Sequence, residues 1–237
     1  MCDCDEQSNE WESVLLAAAR LQGLLGEGVL VGGTAAALIA RHRFSHDADH
    51  VLEDLKGRFD EVLATLEAVA GWETARVQRP IQILGSLDGI ETGIRQLIRK
   101  TPLETTEATV GEETIRIPTP AEILRIKAIL ILKRNAARDY LDFAAIAQWL
   151  GPEKTIEAMS RFDDLYRQDN GESPLMQLQV QLSNPMPYDL ESDDLSEYRH
   201  LAEEWRSWRQ VADTCKRIAV TLFDQQPGNG EIRHPLP

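Results

Sequence analysis

The sequence predicts an α+β protein: a mixed sheet flanked by helices in the first half, followed by a helical C-terminal lobe. Three observations predict it. A short apolar run opens through a glycine turn into an alanine-rich segment at residues 29–40. Short stretches rich in Val, Ile and Thr crowd between residues 74 and 116, and capped, apolar-periodic segments dominate from Thr119 onward. The predicted domains are therefore a sheet domain over 1–118 and a helical lobe over 119–237. A chain of 237 residues is long enough for each to bury a core.

The first amphipathic helix is expected over Glu10–Leu25, where Trp11, Val14, Leu15, Ala18, Leu21 and Leu25 recur at intervals of three and four. Val29, Leu30 and Val31 read as a buried strand. Gly32 and Gly33 then let the backbone approach a ligand, and Thr34–Ala40 has helix-forming composition. A helix starting at that turn offers free N–H groups and a positive dipole end to a phosphate, with the Thr34 hydroxyl as a further donor. The loop that follows carries Arg43 and Ser45 into Asp47-Ala48-Asp49, read as a second strand running to Leu52. Residues two apart on a strand point to one side, so two carboxylates stand together as a hard cation requires.

A helix over Leu55–Ala70 places Leu55, Phe59, Val62, Leu63, Leu66 and Val69 on one face, with Gly71 as its stop. Thr74–Gln78 and Pro80–Ser86 read as strands, Gly89–Lys100 gives mixed signals, and Leu103–Arg116 reads as a hairpin around Gly111. Thr119, Pro120 and Glu122 spell a helix cap and capping box; that helix runs to about Lys133, and a second follows from Ala137 to Leu150. Beyond it we expect a helix over Glu153–Arg167, a short strand at Leu175–Leu182, a linker of about 184–194 and a long helix of about 195–223. Trp205 and Trp208, beside Arg206 and Arg209 on that last helix, read as core packing or a partner surface in preference to a nucleic-acid platform. A disordered tail is expected after Asp224.

The array Gly32-Gly33-Thr34 followed by Arg43-x-Ser45-x-Asp47-x-Asp49 resembles the signature of the nucleotidyltransferase superfamily, in particular its AbiEii-like toxin branch. The run from Thr119 to Leu150 resembles the same family's second region, in which a Lys-bearing helix leads through Arg134 into an Arg-Asp-x-x-Asp helix. The resemblance implies a polymerase-beta-like nucleotidyltransferase core. It implies magnesium or manganese held by Asp47 and Asp49, and a nucleoside triphosphate held by Gly32, Gly33, Thr34, Arg43, Ser45, Lys127 and Arg134. It also implies catalytic parts for Asp47, Asp49 and Lys127, with Asp139 and Asp142 as further candidates. Transfer of a nucleoside monophosphate to an RNA end such as that of a tRNA, to a protein or to a small molecule would follow, and toxin-like members are often neutralised by a cognate antitoxin. In one respect the chain departs from the pattern. A third carboxylate usually stands on a strand next to the Asp-x-Asp strand, and the matching position in Ile81-Gln82-Ile83 is Gln82, with Asp88 close enough to substitute.

A reading from the residues alone keeps Lys127 at the core edge and pairs Asp139 with Arg138 or Arg134. Two other functions stay open: a nucleotidyltransferase fold that binds without transfer, and a metal phosphohydrolase on His46-Asp47 with His42 and His50, against which the glycine turn argues. Composition bounds all of these. Hydrophobic content of 43% and charge of 27% suit a globular protein, and no apolar run approaches the roughly 20 residues of a membrane span. The acidic start, MCDCDEQSNE, lacks the pattern of a secretory signal, so a cytoplasmic location without membrane contact is expected. Three cysteines, two of them in Cys2-x-Cys4, form neither a disulfide framework nor a zinc pattern, and that terminus reads as frayed and reduced. A net charge of −14 argues against generic nucleic-acid binding, while Arg95, Arg99 and Lys100, and then Arg125, Lys127, Lys133, Arg134 and Arg138, predict local basic patches.

Overall fold

The computed structural model describes residues 3–196, 198 and 200–224, with side chains from residue 10 onward. Cys2, the side chain of Cys4 and the stretch after Asp224 lie outside the described residues. The chain divides into two compact units, Met1–Thr119 and Pro120–Pro237.

The first unit is built on helix α1 (Asp3–Leu25), which begins earlier than the periodicity predicts and buries Val14, Ala18, Leu21 and Leu25 along one stripe. Strand β1 (Val29–Leu30), helix α2 (Gly32–Ala40), strand β2 (His50–Leu52) and helix α3 (Leu55–Glu67) follow. Then come β3 (Trp72–Gln78), β4 (Gln82–Leu87), β5 (Ile90–Gln96), β6 (Thr105–Val110) and β7 (Glu113–Pro118). A five-stranded sheet has the order β1-β2-β5-β4-β3, while β6 and β7 form the expected hairpin. Only β2 and β5 pair in parallel, which makes the sheet mixed.

The strands have two unlike faces. His50, Leu52, Ile83, Leu87, Thr92 and Ile94 are buried, alongside the apolar stripes of α1 and α3. The residues between them (Val51, Gln82, Leu84, Ser86, Glu91 and Arg95) are partly or fully exposed. Alternation with period two therefore sorts this sheet into a core side and an open side. Strand β5, which the sequence left unread, supplies the centre of both; its Thr-Gly pair hides the strand pattern from propensity alone.

The second unit is helical: α4 (Pro120–Arg134), α5 (Ala137–Leu150), α6 (Pro152–Met159), α7 (Phe162–Leu165), α8 (Pro174–Ser183) and α9 (Trp208–Asp224). Helix α5 is its axis, with every residue from Tyr140 to Ala147 buried. Three expectations are corrected here. The strand expected at Leu175–Leu182 is helix α8: Ser173 accepts a hydrogen bond from Met176 N at 3.0 Å, Pro174 occupies the first turn, and Leu178 and Leu182 bury one face. The helix expected over Glu153–Arg167 is broken into α6 and α7. Helix α9 starts at Trp208 rather than near residue 195, because Asp193 reaches across as a cap and accepts hydrogen bonds from Arg209 N and the Ser207 hydroxyl, each at 2.8 Å. Trp205 and Trp208 are buried, Trp208 standing edge-on to Tyr140 with ring centroids 5.7 Å apart.

Candidate nucleotide and metal site

The first unit gathers seven of the predicted residues around the start of α2. Gly32 has a φ of 77°, a left-handed conformation in which the chain turns from β1 into the helix without a Cβ penalty. At Gly33 the constraint is space: a Cβ would sit 2.5 Å from an Arg43 guanidinium nitrogen and 2.7 Å from the Ser45 hydroxyl. Arg43 and Ser45 are both buried, so the loop folds its cation and its hydroxyl directly over the helix entry. Trp11 stacks on Phe44 with centroids 5.1 Å apart and Glu10 meets His46 at 3.0 Å, which fastens the same loop to α1.

Asp47 and Asp49 lie just before β2 rather than on it, in an extended segment. The backbone is tied on both sides, by Val31 N to Asp49 O at 2.8 Å and by Ala48 N to Glu91 O at 2.9 Å. Ala48 is buried while both aspartates are partly exposed, so the carboxylates share the open side of the sheet. Thr34 is fully buried and its hydroxyl donates to the Asp47 carbonyl at 2.5 Å, which pins this segment to α2 and commits the proton that the sequence reserved for a phosphate. On the core side, His50 donates to the Ala48 carbonyl at 2.9 Å, and burial pushes its pKa down to about 4, so the ring is neutral. With His42 and His50 both buried, and with no group of three His, Cys, Asp or Glu placed to hold a metal among the described residues, the phosphohydrolase reading loses its ligand set.

The strands that pair with β2 are β1 and β5, not the strand of Gln82. Gln82 stands one strand further out, on the open side and opposite Arg95. Asp88 sits in the β4–β5 turn with a φ of 51°, and its carboxylate is engaged by Arg20 at 2.5 Å. Gly93, which the sequence did not single out, and Arg95, which it placed only in a basic patch, stand beside Asp49. A Cβ on Gly93 would meet Asp49 Oδ1 at 2.6 Å, and Arg95 Nε lies 3.5 Å from the same point. The strand alternation could have pointed to them had β5 been recognised.

Lys127, Arg134, Asp139 and Asp142 gather in the second unit. Lys127 Nζ is 2.7 Å from Asp142 and 3.5 Å from Asp139, and Arg134 grips Asp139 through two contacts of 2.5 and 2.8 Å. Lys127 is 1% exposed and both aspartates are fully buried, whereas Arg134 is 39% exposed on its side chain. Arg125 is buried too, against Glu122 at 2.9 Å and the Ala158 carbonyl. The predicted second basic patch therefore loses two of its cations to internal ion pairs.

A model of the nucleotidyl transferase AbiEii toxin family, of type IV toxin–antitoxin systems, matches residues 14–225. The chain belongs to that family. One solved structure supports the nucleotidyltransferase fold: the antibiotic-resistance factor ANT(2'')-Ia superposes with a TM-score of 0.50 at 12% identity, covering 65% of this chain and 91% of that one. JHP933 from Helicobacter pylori gives a TM-score of 0.49 at 16% identity, over 93% and 95% of the two chains. Among curated proteins, the heme uptake protein MmpL11 of Mycobacterium tuberculosis is 32% identical over 130 residues. That stretch is 54% of this AbiEii-family chain and 13% of the transporter's length. No helix of the described residues is long and apolar enough to cross a membrane.

Proposed function

We propose that the open side of the first unit binds a nucleoside triphosphate with magnesium or manganese and transfers its nucleoside monophosphate to an acceptor hydroxyl. The observation that carries this reading is the convergence of a glycine-cleared helix start, a buried Arg43 and two partly exposed aspartates, Asp47 and Asp49, flanking the buried Ala48. Asp47 and Asp49 fit a hard divalent cation, which binds through one or two carboxylates and takes its other ligands from water and phosphate oxygens. Such a cation, when bound, neutralises phosphate charge and lowers the cost of pyrophosphate departure. The N–H groups at the start of α2 and the Arg43 guanidinium orient the triphosphate. The acceptor oxygen forms a bond to the α-phosphorus, the bond from that phosphorus to the bridging oxygen breaks, pyrophosphate leaves with the electron pair, and the hydroxyl proton is released to solvent. Positioning and charge neutralisation supply the rate.

In this reading Lys127 changes part. Its ammonium is closed off by Asp139 and Asp142, so it holds α4 to α5 instead of meeting the triphosphate. The acceptor is an RNA end, a protein or a small molecule, and family membership supports a cognate antitoxin as partner. The test is incubation with manganese or magnesium, each labelled nucleoside triphosphate, and pooled RNA and protein. Label is expected on one acceptor class, and Asp47→Asn/Asp49→Asn should lower it by about 100-fold or more, the scale of losing a key electrostatic group. Label that persists in the double variant would reject the site. A second reading, nucleotide binding without transfer, is favoured by the lack of a third clustered carboxylate among the described residues. Nucleotide binding with no label on any acceptor would select it.

A further inference from the structure

We propose that Arg95 is a phosphate ligand of this surface and that the surface takes a single divalent cation, which arrives with the nucleotide. The inference rests on the nucleotide-binding reading above and adds to it a residue and a metal count. The parallel register pairs His50 with Ile94 and Val51 with Arg95. Continued by the Ala48 N to Glu91 O bond, it sets Asp49 opposite Gly93 and Asp47 opposite Glu91. The Asp49 carboxylate and the Arg95 guanidinium thus lean over the same glycine, the first 2.6 Å and the second 3.5 Å from where a Cβ would stand, so they lie within about 6 Å of each other.

That juxtaposition has an electrostatic consequence. A fixed cation beside Asp49 repels a second dication on the same carboxylate. Gly93 brings no carboxylate of its own, and a side chain there would displace Asp49 Oδ1 or Leu84 Cδ2, the latter 2.9 Å from where its Cβ would stand. Glu91 has the right strand parity but joins no three-residue metal cluster among the described residues. Two carboxylates alone leave most of a hard cation's coordination to water and phosphate, so tight binding needs the nucleotide. Arg95 is exposed on the open side, and a guanidinium is the side chain best matched to phosphate oxygens.

The experiment counts bound manganese by electron paramagnetic resonance and measures nucleotide affinity by calorimetry on the whole chain, for each nucleoside triphosphate. Manganese alone should bind weakly, and at saturation with nucleotide one ion per chain is expected. Arg95→Gln should weaken nucleotide binding by at least tenfold with an unchanged thermal midpoint. Arg95→Glu should bind manganese without nucleotide at least tenfold more tightly than the wild type. Two ions per chain, wild-type nucleotide affinity in Arg95→Gln, or loss of the ion in Glu91→Gln would each overturn the proposal. Absence of any nucleotide binding to the wild type would instead remove the reading on which it rests.

Discussion

The two charge-bearing regions of this protein differ in how their charges are satisfied. In the helical unit, Lys127, Asp139, Asp142 and Arg134 neutralise one another, and three of the four are sealed from solvent. In the sheet unit, Asp47 and Asp49 stay partly exposed, the glycines at 33 and 93 keep space clear beside Arg43 and Asp49, and Arg95 faces outward. The contrast teaches that acidic and basic motif residues alone do not mark a ligand site. Charges closed on each other in the interior are costly to break, because removing one partner leaves the other buried and uncompensated. In the sheet unit the carboxylates of Asp47 and Asp49 keep part of their surface exposed.

Breaking the closed region should give the largest effect on stability. Lys127→Met removes the ammonium that stands 2.7 Å from Asp142 and 3.5 Å from Asp139, both fully buried, and a loss of about 3–5 kcal/mol in urea unfolding is expected. Lys127→Met/Asp142→Leu should recover part of it. If Lys127→Met unfolds like the wild type yet loses nucleotide binding, the lysine belongs to the nucleotide site and the comparison fails.

A smaller effect concerns the same unit at high pH. Burial pushes the Cys215 thiol from its ordinary 9.0 up to about 12, and Tyr140 moves from 10.0 to about 12, chiefly through burial. The folded chain therefore holds these protons when the unfolded chain has released them, so stability is complete below pH 9 and falls as pH rises towards 12. For Cys215 alone the loss by pH 10.5 is about 2 kcal/mol. Urea unfolding across pH 8–10.5 should show it, and Cys215→Ala should flatten the slope.

The smallest stability effect is expected on the open region. Gly33→Ala must push aside the Arg43 guanidinium and the Ser45 hydroxyl, at a cost of about 1 kcal/mol. Nucleotide affinity measured by calorimetry should fall by more than that cost implies if the displaced guanidinium holds phosphate, as proposed. Equal affinity in Gly33→Ala would detach Arg43 from the site.

Much of this organisation is legible along the chain. The Val29–Ala40 strand, turn and helix, the spacing from Arg43 to Asp49, the capped α4 and the bounds of α5 all follow from local pattern, because caps, glycine turns and apolar periods act over a few residues. Strand β5 escaped notice because Thr92 and Gly93 break its pattern, and with it went the neighbours of Asp49.

What the sequence by itself determined, then, is the family, the mixed α+β fold and the residues that could bear charge. Only the tertiary structure decided which of those charges face outward. Asp193 capping α9 from outside the helix, Gly93 lying under the Asp49 carboxylate, and Lys127 enclosed by Asp139 and Asp142 are placements of residues distant in the chain or set by helix packing. Burial and charge pairing are properties of neighbours in space, and no local pattern encodes them.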